Sequence, residues 1–170
     1  MKQKTVRFIV QAGVIAALYA ALTLVLAPIG FGQIQFRAAE ALTILPIYTP
    51  AAIPGLTVGC LLANGIGVAM GVNSMPMDIL FGTLATLLAS MCSYFVRNVR
   101  FRKIPLWSFF PPVLWNGLIV GWELWWFLRL PFWISAFFVA AGELAVCAVL
   151  GGGLYALIIK TRLYRLFSAD

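Results

Sequence analysis

Four acidic residues lie inside or at the edge of long apolar stretches: Glu40, Asp78, Glu123 and Glu143. Arg37 stands one helical turn before Glu40, Asn64 sits within an apolar segment, and Asn116 precedes Glu123 by seven residues, which places both on one helix face. A carboxylate at the middle of a bilayer costs roughly 2.5–3.5 kcal/mol even on lenient insertion scales. Such groups are therefore expected to converge on one outward-facing polar cavity. Carboxylates and amides without a nucleophile suit recognition of N–H donors and carbonyls rather than bond breaking. The chain has no histidine, no GxSxG or HExxH and no G-x-x-x-x-G-K-[ST] phosphate loop, so an enzyme is not expected and ATP hydrolysis would fall to partners. Cys60, Cys92 and Cys147 have no CxxC spacing, and neither metal nor cofactor is expected.

Two purely structural readings stand beside this one. Arg37 would pair with Glu40, and Asp78 would cap the helix that it opens. Trp115, Trp122 and Trp126 form a stripe beside the Asn116–Glu123 face, and Trp122 is expected to stack on a planar ligand. Trp125, Trp126 and Trp133 read instead as an interfacial belt.

The elements that must position these groups follow from composition. Of 170 residues 63% are hydrophobic and 10% charged, with a mean hydropathy of +1.00. Soluble domains run at roughly 45–50% and about 25%. The expected fold is an all-α integral membrane protein, a six-helix transmembrane bundle in a single membrane domain spanning 1–170. Its helices are expected near 7–27, 38–49, 54–71, 77–96, 106–128 and 132–160. The second is too short to span a bilayer about 30 Å thick and must be short or irregular, because Pro46, Pro50 and Pro54 interrupt it. Pro28, Gly30 and Gly32 end the first helix in an irregular loop.

Basic residues set the orientation. Lys2, Lys4 and Arg7, then Arg97, Arg100, Arg102 and Lys103, then Lys160, Arg162 and Arg165 fall on one side of a six-span bundle, leaving Arg37 and Arg129 on the other. The positive-inside rule places both termini in the cytoplasm. In helix 1, Ala12, Ala16 and Ala20 overlap a second ladder, Gly13, Ala17 and Ala21. Small residues at this spacing allow close helix contact, within the chain or with another membrane subunit.

The stretch ALYAALTLVLAPIGFGQIQFRAAEALTILPIYTPAAIPGLTVGCLLAN, Ala17 to Asn64, resembles the queuosine-precursor branch of the substrate-binding S-components of energy-coupling factor (ECF) transporters. The segments FRAAEALTILP and TPAAIPGLTVGCLLAN are its most specific parts. The resemblance implies a plasma-membrane protein that captures a deazaguanine, such as 7-aminomethyl-7-deazaguanine, from outside. It would dock through helix 1 on a transmembrane coupling subunit driven by two cytoplasmic ATPases. Glu123 or Glu143 would accept the guanine-like N–H edge, Asn64 or Asn116 would read the carbonyl, and a further acid would offset an ammonium, with Arg37, Glu40 and Asp78 also in the expected substrate site. An S-component for another vitamin-like heterocycle, and a membrane scaffold without transport, are the alternatives.

Overall fold

The computed structural model describes residues 2–27, 37–99 and 105–167. Among them the chain is helical, with six helices and no strand. These are α1 (Lys2–Val25), α2 (Ala38–Ile47), α3 (Ala52–Ala69), α4 (Asp78–Phe95), α5 (Phe110–Leu128) and α6 (Phe132–Thr161). The loop at Pro28, Gly30 and Gly32 and the basic residues Arg100, Arg102 and Lys103 lie outside the described residues.

Four helices, α1, α3, α4 and α6, are long and apolar enough to cross a membrane. The 19 residues of α5 match them in length, but its prolines, Asn116, Glu123 and tryptophans dilute its apolar character. A single 3-10 turn, Leu106–Phe109, precedes it where one continuous helix was expected. Pro111 and Pro112 then open the α-helix, at positions where the missing N–H has no partner to lose.

The irregular second helix is the centre of the bundle. All of α2 is 3-10 helix, ten residues that rise about 20 Å at roughly 2.0 Å each. Pro46 removes a donor near its end. Every residue from Ala39 to Pro46 is buried, and the helix touches α1, α3, α4 and α6. Three residues per turn bring side chains at i, i+3 and i+6 into register. Arg37, Glu40 and Thr43 therefore share one edge.

Small residues close the seams around it. A Cβ at Gly59 would lie 2.7 Å from Tyr19 Cβ and 2.8 Å from the Ala16 carbonyl, so α1 and α3 meet backbone to backbone. Of the two ladders in α1, Ala12, Ala16 and Ala20 turn toward this seam, and Ala16 and Ala20 are buried. Gly13, Ala17 and Ala21 face outward. The ladder Ala12, Ala16 and Ala20 thus makes its close contact within the chain, and the second lies about 100° away from it around the helix. Gly117 and Gly121 bring α5 against Ala140 and Ala136 of α6 in the same way.

The two chain ends lie together. Arg7 Nη2 donates to the Leu166 carbonyl at 2.6 Å and Gln11 Nε2 to the same oxygen at 3.0 Å. Trp125, Trp126 and Trp133 lie at the opposite end, all exposed.

Candidate functional site

At that opposite end the 3-10 edge of α2 meets a polar stripe on α4. Asp78, Gly82, Thr86 and Ser90 recur every four residues, and the three polar ones are buried. Arg37 Nη2 donates to Asp78 Oδ2 at 2.8 Å, and the two side chains are 3% and 2% exposed. Asn73 Nδ2 reaches the same carboxylate oxygen at 3.2 Å, while Asn64 Nδ2 donates to the Asp78 main-chain carbonyl at 2.8 Å. Gly82 leaves room for this crowd. A Cβ there would lie 3.0 Å from both Arg37 Nη1 and Asn64 Nδ2.

Asp78 is therefore neither the helix cap nor a bystander. No side-chain cap bond closes the start of α4; the carboxylate is drawn to the guanidinium because a buried charge needs a charged partner. Arg37 in turn takes its ion pair from α4 rather than from Glu40 one turn away. Glu40, fully buried, accepts from Tyr19 Oη of α1 and from Thr86 Oγ1 at 3.2 Å. One carboxylate thus ties α2 to two neighbours.

Deeper in the bundle, Thr43 Oγ1 lies 3.9 Å from Cys147 Sγ, which lies 3.6 Å from Glu143 Oε1. Glu143 has Glu40 and Arg37 as its electrostatic neighbours. Glu123 approaches from α5 and has Asp78 and Arg37 as its own. The structure thus gathers Arg37, Glu40, Asn64, Asp78, Glu123 and Glu143 around one guanidinium. Asn116, also buried, lies two turns along α5 from Glu123 on the same face.

Two expectations need correction. The groups do not line a chamber open to water: Glu40 and Glu123 are 0% exposed, Asn64 and Asp78 1%, Glu143 2%, and Arg37 and Asn116 3%. The ion pair and the cross-helix hydrogen bonds draw the helices together over them. Trp122 does not join them. It is 38% exposed, and its ring packs edge-on against Phe81 and stacks with Trp126 on the outer surface. A residue adjacent to Glu123 in sequence is turned about 100° from it on a helix.

Several partners escaped the sequence reading. Tyr19, Thr43, Thr86 and Cys147 are ordinary packing residues by type; only the spacing of Thr86 from Asp78 and Gly82 carried a signal. The three cysteines are free thiols. Cys60 and Cys92 meet N–H donors of Asn64 and Trp115 at 3.4 and 3.3 Å.

The cluster is rich in acceptors that meet no hydrogen-bond donor among the described residues. Glu40 Oε2, Asn64 Oδ1, Asp78 Oδ1 and both Glu123 carboxylate oxygens are buried without a donor among the described residues, and the buried amide Asn116 Nδ2 is without an acceptor there. Buried polar atoms are otherwise almost always paired, because an unmade bond costs about 1–3 kcal/mol. Four carboxyl groups gather about one guanidinium. Such a cluster is complementary to a compact molecule with several N–H donors.

The family model described as QueT transporter matches residues 9–160. A protein named "Queuosine precursor transporter QueT" from Lactococcus lactis subsp. cremoris (strain MG1363) is 29% identical over 110 residues, covering 64% of this chain and 61% of the relative. The chain thus spans about three fifths of that relative's length. No solved structure matches.

Proposed function

The chain belongs to the QueT transporter family, and from that premise we propose that it is the substrate-binding subunit of an ATP-driven importer of the ECF type. Its ligand is a queuosine precursor, a deazaguanine such as 7-aminomethyl-7-deazaguanine, captured at the end of the bundle that carries Arg37 and Asp78. The observation that carries this reading is the group of buried carboxyl and amide oxygens around Arg37 that meet no donor among the described residues. A guanine-like edge presents adjacent N–H donors that one carboxylate accepts in a fork, the mirror of an Arg–carboxylate pair. Glu123, with both oxygens unbonded, fits that task better than Glu143, whose Oε1 is in contact with Cys147. Asp78 and Glu40 each hold a spare oxygen for an ammonium, and Asn116 a spare amide N–H for the ring carbonyl.

Titration calorimetry of the purified protein tests it with three ligands. 7-aminomethyl-7-deazaguanine should bind most tightly. An analogue lacking the exocyclic 2-amino group and one lacking the aminomethyl nitrogen should each lose about ten-fold or more, for the hydrogen bond to charge that each forgoes. Equal affinity for all three, or none, would reject the assignment.

The orientation that fits is the one in which both chain ends are cytoplasmic and the polar cluster faces out. Docking on a coupling subunit falls to the exposed strip of α1, where a Cβ on Gly13 would meet no other atom within 4 Å. Ala17→Leu is expected to abolish uptake by cells carrying the coupling subunit and its two ATPases, with ligand affinity of the isolated protein unchanged. Undiminished uptake would remove this strip from the interface.

A further inference from the structure

At the end that gathers the chain termini, α5 and α6 part company. Their other halves are locked by Gly117 on Ala140 and Gly121 on Ala136. Past Ala145 the sixth helix changes pitch: Val146–Gly151 is a π-helical turn, and Gly152–Thr161 resumes as α-helix. That last segment packs on α2 and on the π turn rather than on α5. Phe109 stands in the fork, 3.3 Å from where a Gly151 Cβ would be, with its ring edge-on to Tyr155.

The result is a wedge of about 980 Å³ walled by Phe109, Phe110, Leu144, Ala148 and Tyr155, with Lys160 at its mouth. It opens sideways, onto the surface where Phe110 and Leu144 are 54% and 55% exposed. In a membrane-spanning bundle that surface meets hydrocarbon. Water finds almost nothing to bond to along these walls, and an empty wedge forfeits dispersion contacts on every wall. Lys160 is exposed and makes no ion pair among the described residues, and exposed Arg162 and Arg165 follow it.

We propose that the wedge is a lipid site holding an acyl chain of an anionic phospholipid, whose phosphate lies against Lys160. The apolar wall takes the chain and the basic mouth takes the headgroup, the arrangement by which basic pockets between membrane helices select charged lipids. The site is separate from the acceptor cluster and does not depend on what that cluster binds.

The full chain, reconstituted in vesicles containing phosphatidylglycerol or phosphatidylcholine with a photoactivatable acyl chain, tests the proposal by mapping of labelled peptides. Label from phosphatidylglycerol is expected to concentrate on the peptides holding Phe109, Ala148 and Tyr155. Lys160→Gln should lower it about five-fold, the loss expected for one basic residue at an anionic lipid surface, and bring it to the phosphatidylcholine level. Ala148→Phe, or Gly152→Leu should the first fail to fold, fills the wedge and should remove the label from both lipids. Unchanged melting in detergent identifies a folded variant whether or not deazaguanines bind. Label spread evenly over all exposed helices, a phosphatidylglycerol preference that survives Lys160→Gln, or labelling unaffected by the filling variant would each overturn it. So would a wedge that takes up label only weakly and is covered instead by an added coupling subunit.

Discussion

Arg37→Met is expected to destabilise the folded protein by about 3–5 kcal/mol, the usual loss when one member of a buried ion pair is removed. Asp78 is left buried without its cationic partner, with Asn73 donating to its carboxylate at 3.2 Å. Three further carboxyl groups lose their common cation. Thermal unfolding in detergent reads the effect. The double variant Arg37→Met, Asp78→Leu should recover most of the loss, because no uncompensated charge remains at that pair. If the double variant is as unstable as the two single changes added together, the pair is not what holds α2 to α4. Recovery of stability should not bring recovery of ligand binding, since Asp78 Oδ1 goes with the pair.

Glu123→Gln is the sharper test of recognition. The change keeps the volume and the buried position but exchanges one acceptor oxygen for an N–H₂ donor, so a forked pair of N–H bonds becomes a single bond opposed by a donor. Affinity for 7-aminomethyl-7-deazaguanine should fall roughly 10- to 150-fold, the equivalent of about 1.5–3 kcal/mol for one hydrogen bond to a charged group. Melting should change little or rise, because the neighbour of Glu123 is the Asp78 carboxylate, to which a Gln amide can still donate. Retained affinity in this variant, with loss in Glu143→Gln, would move the reading carboxylate to α6.

The membrane class, the helix count and the irregularity of the second helix were legible because they depend on local composition. A run of apolar residues has one low-energy home, and three prolines within nine residues cannot sustain a regular α-helix. The cost of burying carboxylates was legible for the same reason. Pairing was not. Arg37 and Glu40 stand at a spacing that suggests partners, yet the ion pair forms across 41 residues of chain, because packing α2 beside α4 brings Asp78 within reach. The direction of Trp122 and the division of the α1 ladders into an inner and an outer strip were equally hidden. A periodic pattern gives the angle between faces of a helix but does not say which face its neighbours choose.

The sequence by itself determined the medium in which this protein works and the short inventory of groups able to recognise a ligand there, since transfer free energies belong to residue types. The tertiary structure alone decided which of those groups are spent on one another and which keep unbonded oxygens. A 3-10 helix sets Arg37, Glu40 and Thr43 along one edge, and the backbone contacts at Gly55 and Gly59 press Tyr19 toward it. Hydrogen-bond satisfaction is a property of atoms brought within about 3 Å, and only the packed bundle fixes that distance.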